Sequence, residues 1–146
     1  MIYQKLTSIT NELCIENISY NDNKFLIELR PLADENYVQK EKADNCLTGL
    51  LTICIEFDEI TAINVIDSSF YNYQQDKDVK HGFRRYSKSN YLDYVLKETM
   101  LKEFMEVTHE QAYHYEIVTI TNVISIITSV RPLIKFKYQV NKKNNR

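Results

Sequence analysis

The chain is almost free of glycine and proline, with 2 of each in 146 residues. Glycine is the usual residue where backbone turns left-handed or approaches a ligand closely. Phosphate-cradling loops and nucleophile elbows both depend on it. Gly49 and Gly82 stand alone, and no such loop can be built around either. Tight turns must then fall to Asn and Asp, which tolerate left-handed backbone and bond to their own neighbours.

Such a turn is expected at Asn21, Asp22 and Asn23. Before it, Leu13, Ile15, Ile18 and Tyr20 fit a strand with one irregularity, of the kind a bulge makes. After it, Lys24 to Leu32 returns with Phe25, Ile27 and Leu29 on one face. Ala33 to Asn45 is polar and reads as a loop. Leu47 to Phe57 carries Leu51, Ile53, Ile55 and Phe57 on one face; Asp58 and Glu59 turn it into Ile60 to Ile66. Asp67 to Gly82 is a long polar stretch. Asn90 to Val107 has helical spacing, with Asn90 as the expected N-cap and Leu92, Leu96, Met100, Phe104 and Val107 as its buried stripe. Three strands follow: Ala112 to Thr121, Val123 to Thr128, and Leu133 to Tyr138, the last with Lys135 and Lys137 on one face. Strands segregated from one helix predict an α+β fold. The expected form is an antiparallel sheet of about six to seven strands curled over one main helix, or a partly open barrel with one helix.

Hydrophobic residues make up 44% and charged residues 26%, as in a globular domain. Residues 1–140 form the expected single domain and 141–146 a frayed polar tail. The net charge is -2, which disfavours nucleic acid, since phosphate contacts call for a basic excess. No apolar stretch approaches the roughly 20 residues that span a bilayer. The first ten residues lack the apolar core of a secretory signal, so the expected compartment is the cytoplasm. Cys14, Cys46 and Cys54 are an odd set without C-x-x-C spacing; Cys14 and Cys54 lie in apolar runs and read as reduced, buried thiols. His109-Glu110 and His114 stand one residue too far apart for a metalloprotease helix, and read as surface histidines. No cofactor or metal is expected.

The segment from Phe70 to Tyr86 concentrates Tyr and Arg, the side chains enriched at protein interfaces. Tyr71, Tyr73, His81, Arg84, Arg85 and Tyr86 are the candidate partner-binding residues. The reading is a non-catalytic domain that binds another protein. The alternative is a small hydrolase or nuclease using His114, Glu116 and a carboxylate of the second hairpin, which requires those groups to converge. A third is a homo-oligomeric structural protein. The apolar Val123 to Val130 run reads as a central strand; at an edge it would drive homodimerisation.

The hairpin LCIENISY–NDN–KFLIELRPL, the strands LLTICIEFDEITAINVI and the later HYEIVTITNVISIIT resemble small bacterial immunity-type proteins encoded beside polymorphic toxins. In several such families a D-x-x-I-x-x-I motif opens the first hairpin and an F-x-x-V strand end follows. Glu12 to Ile18 and Phe57 to Ile60 are the corresponding pieces. The resemblance implies a non-catalytic protein that binds and blocks a toxin, and it transfers no functional residues.

Overall fold

The computed structural model describes residues 13–31, 49–71 and 82–140. Among them are eight strands: β1 (Leu13–Asn21), β2 (Lys24–Pro31), β3 (Gly49–Asp58), β4 (Ala62–Asp67), β5 (Gly82–Tyr86), β6 (Tyr113–Val118), β7 (Asn122–Thr128) and β8 (Leu133–Val140). Two α-helices, α1 (Asn90–Glu98) and α2 (Leu101–Thr108), stand between β5 and β6. The fold is α+β, but the strands form two open sheets rather than one. Their orders are β1-β2-β3-β8 and β4-β7-β6-β5, and every pairing is antiparallel.

The split follows from where the apolar faces point. Phe25, Ile27, Leu29, Ile53, Ile55 and Phe57 of the first sheet form one core with Phe83, Tyr115, Ile117, Ile124 and Ile126 of the second. Phe57 meets Tyr115 edge-on, ring centroids 5.5 Å apart. A second core lies on the opposite face of the second sheet. There Leu92, Val95 and Leu101 of the helices cover Ile127 and Ala112. The molecule is therefore three layers: sheet, sheet, helices. β6 and β7 are covered on both faces, which explains the nearly continuous apolar run of Val123 to Thr128. β7 lies between β4 and β6, so the run from Val123 is central as far as Thr128, where the strand ends, and supplies no edge.

The first hairpin turns on Asp22 and Asn23, at φ 46° and 66°, two positive values without glycine. The irregularity in β1 is a register shift between Ile15 and Asn17. The glycine that the backbone does require is Gly82, buried at φ 128° where β5 begins. That end of the Asp67 to Gly82 stretch opens a strand rather than remaining in a loop.

The expected single helix is two. Ser89, not Asn90, is its N-cap: Ser89 Oγ accepts a hydrogen bond from the Leu92 N–H at 3.0 Å. Thr99 ends α1 by donating its hydroxyl to Val95 O at 2.7 Å, then accepts from the Leu101 N–H at 3.2 Å. The break resets the helical phase. Leu101 turns inward and Met105 half inward, while Met100, Phe104 and Val107 face solvent rather than the core. Cys54 is buried, but on the outer face of β3 under Glu28 and Lys137, and Cys14 is only partly buried. Met1–Glu12, Ala33–Asn45 and the tail from Asn141 lie outside the described residues.

Candidate functional site

The helix-facing side of β6 carries the densest polar cluster of the second sheet. His114 and Glu116 are two residues apart on one strand, so both point to this side. Each is only 5% exposed. The register sets Tyr86 beside His114, Arg84 beside Glu116, and Ser125 on the other flank of Glu116.

Glu116 is the hub. Tyr71 donates its hydroxyl to Oε2 at 2.7 Å, and Tyr86 donates to Oε1 at 3.3 Å. Arg84 Nη1 in turn donates to the Tyr86 oxygen at 2.8 Å. Tyr71 follows the short 3-10 turn Ser68–Phe70, which Asp67 caps by accepting from the Ser69 N–H. Burial and the neighbouring Glu116 carboxylate hold the Tyr71 phenol well above its usual range, so it remains a donor.

His114 is neutral near pH 7. Burial pushes its imidazole down to about 4. Nδ1 lies 2.9 Å from Ser89 Oγ, the atom that caps α1. One hydroxyl thus joins the helix to the sheet. Nε2 is buried without a hydrogen-bond partner among the described residues. The Tyr86 and Tyr91 rings flank the imidazole, with centroids 5.3 and 5.5 Å away.

Three of the candidate partner-binding residues, Tyr71, Arg84 and Tyr86, therefore come together, and their polar atoms converge around Glu116. Arg85 points to the other side of β5 and stacks over the Tyr113 ring at 4.8 Å. Tyr73 and His81 lie outside the described residues. His109 is exposed and ends α2 in left-handed backbone, whereas His114 is buried rather than on the surface. The carboxylates of the second hairpin go elsewhere. Glu56 and Asp58 engage Lys24 at 3.1 and 3.5 Å on the first sheet, and Asp67 engages Ser69. The convergence that a hydrolase reading requires is not formed by these groups. Among the described residues no cluster of His, Cys, Asp and Glu could hold a metal.

The second notable surface is the outside of the helices. Tyr94, Met100, Phe104 and Val107 are 61%, 78%, 48% and 80% exposed. Met100 and Phe104 border a cleft of about 320 Å³, with Thr61 and Ser129 on its opposite side. Residues 90–110 carry five carboxylates, Asp93, Glu98, Glu103, Glu106 and Glu110, against Lys97 and Lys102. All five are exposed. Sequence spacing pointed to Met100, Phe104 and Val107 but assigned them to the core. Ser89 was missed, although a serine just before a helical run is a recognisable N-cap signal.

No family model, curated protein or solved structure matches this chain. Among the described residues no helix is long and apolar enough to cross a membrane.

Proposed function

We propose that this is a non-catalytic protein-binding domain that docks a basic protein on its helical layer, consistent with the resemblance to immunity-type proteins that block toxins. The observation that carries the reading is the solvent-facing stripe of Met100, Phe104 and Val107. Leu101 and Met105 already meet the packing demand of α2. The stripe is surplus to folding, and surplus apolar surface ringed by polar groups marks contact sites. The carboxylates around it select a basic partner and steer its approach. We place the surface on the helices rather than on the 70–86 segment, because Tyr71 and Tyr86 already donate their hydroxyls to Glu116. The free thiols of Cys14 and Cys54 fit action in a reducing cytoplasm.

The test is capture on the immobilised protein beside a Met100→Asp/Phe104→Asp variant with an unchanged circular dichroism spectrum. A basic protein bound one to one, lost with the variant, released by about 0.5 M salt and inactivated in its own reaction by the wild-type protein is the expected result. A partner that the variant retains, or one that is acidic, overturns the reading.

A further inference from the structure

We infer that β4 is a self-association edge, through which a second copy of this chain pairs antiparallel about a two-fold axis at Asn64. The inference is independent of the helical surface and of the partner proposed for it.

Among the described residues the sheets have four edge strands, β1 and β8 in one, β4 and β5 in the other. Natural edges are normally blunted by bulges, charge or proline. β1 carries its register shift at Ile15/Asn17, β8 carries Lys135 and Lys137, and β5 carries Arg84 and Arg85. β4 reads Ala-Ile-Asn-Val-Ile-Asp; its one charge, Asp67, stands at its end, its one irregularity, the Thr61 N–H bonded to Ile127 O beside Ala62, stands before its start, and its register with β7 is unbroken between them.

Among the described residues nothing pairs with the outer backbone of β4. The Ser68 N–H bonds to Thr121 O, which sets the phase of the ladder to β7. Bonded pairs alternate along an antiparallel ladder. Ile66, Asn64 and Ala62 therefore bond toward β7, and the N–H and C=O groups of Ile63 and Val65 point off the sheet. The side chains of Ile63 and Val65 share a face with their core-facing neighbours Ile126 and Ile124, yet are 43% and 51% exposed. The first sheet leaves that edge uncovered.

The strand is complementary to itself in the register with its axis at Asn64. With the axis at Asn64, Ile63 stands opposite Val65 of the second copy, and Ala62 opposite its Ile66. Thr61 meets Asp67 of the second copy, so no like charges face each other. Ile63 and Val65 exchange backbone bonds across the axis, and the two second sheets become one of eight strands. Moving the axis to Val65 would set Ile63 against Asp67, burying an apolar side chain beside a carboxylate. Because the edge is short, the dimer is weak, with a dissociation constant on the order of 100 μM.

Sedimentation and light scattering between about 1 and 500 μM test the association. The expected result is a reversible monomer–dimer equilibrium that Val65→Lys weakens at least ~10-fold without changing the melting temperature. A cross-link reads the register. Directly opposed residues in a non-bonded pair have Cα atoms about 4.5 Å apart, within disulfide range. Asn64→Cys should then give a covalent dimer on mild oxidation, and Val65→Cys should not, with wild-type protein as the control for native thiols. A strict monomer at every concentration overturns the inference. So does a dimer indifferent to Val65→Lys, or a cross-link through position 65 rather than 64.

Discussion

Glu28 and Glu116 occupy the same kind of position, an outward-facing site on a strand inside a four-stranded antiparallel sheet, and they live in opposite surroundings. Glu28 is partly open to solvent. Lys137 Nζ is 3.6 Å from it, the Cys54 thiol donates to it at 3.6 Å, and Asn17 donates at 3.4 Å. The neighbouring groups continue the pattern: Lys24 with Glu56 and Asp58, and Arg30 with Glu16. Glu116 is enclosed, and the hydroxyls of Tyr71 and Tyr86 replace the water and the lysine. Tyr71 and Tyr86, brought in from other segments of the chain, make the difference. A covered carboxylate needs fixed donors, because water cannot reach it.

The sharpest test of that contrast is to remove each carboxylate in turn. Glu116→Ala removes the carboxylate to which two half-buried phenols, Tyr71 and Tyr86, donate. A loss of about 3 kcal/mol is expected from removing two buried hydrogen bonds to a charged acceptor. Glu28→Ala removes a partly exposed partner whose lysine stays in solvent, and should cost less than about 1 kcal/mol. Urea denaturation of both variants measures the difference. Equal losses would mean that the two phenols hold Glu116 no more strongly than solvent and Lys137 hold Glu28.

The next contrast is in pH. His114 has an ordinary value of 6.5, which applies to the unfolded chain, and about 4 when folded. Below pH 6.5 the unfolded chain takes up a proton that the folded protein refuses. Stability contributed by neutral His114 is therefore complete above that pH and lost as pH falls toward 4. The loss amounts to about 3 kcal/mol at most. His114→Phe keeps the ring contacts with Tyr86 and Tyr91 and should flatten this part of the profile. An unchanged slope would assign the acid sensitivity to the carboxylates. The open face behaves in the opposite sense: Glu56 and Asp58 raise the Lys24 ammonium, so its contribution disappears only in strong alkali.

Much of the architecture was legible where one physical rule decides. Alternation placed Phe25, Ile27, Leu29, Ile53, Ile55 and Phe57 in the core, and Asp22-Asn23 announced a turn without glycine. The division into two sheets was not legible, because strand pairing between distant segments leaves no local mark. The helix breaks at Thr99, whose extended backbone interrupts otherwise continuous spacing, and Met100, Phe104 and Val107 lie outward. For the candidate site, composition singled out Tyr71, Arg84 and Tyr86. It could not show that they converge on Glu116, since Tyr71 and Glu116 are 45 residues apart.

The smallest effect expected concerns the atom that ties the covered face together. Ser89 Oγ accepts from the Leu92 N–H and touches His114 Nδ1. Ser89→Ala removes an N-cap, which costs about 1 kcal/mol in an ordinary helix. Here it also leaves both imidazole nitrogens without a described partner, so the loss should exceed that of the cap alone. A double-mutant cycle with His114→Phe isolates the excess, because the cap is lost in both backgrounds and only the contact with His114 differs. A coupling of about 0.5–1 kcal/mol would show that α1 is held to β6 by this bond as well as by Leu92 and Val95. Zero coupling would leave apolar packing alone to seat the helix, and the polar cluster beneath it would owe its enclosure entirely to that packing.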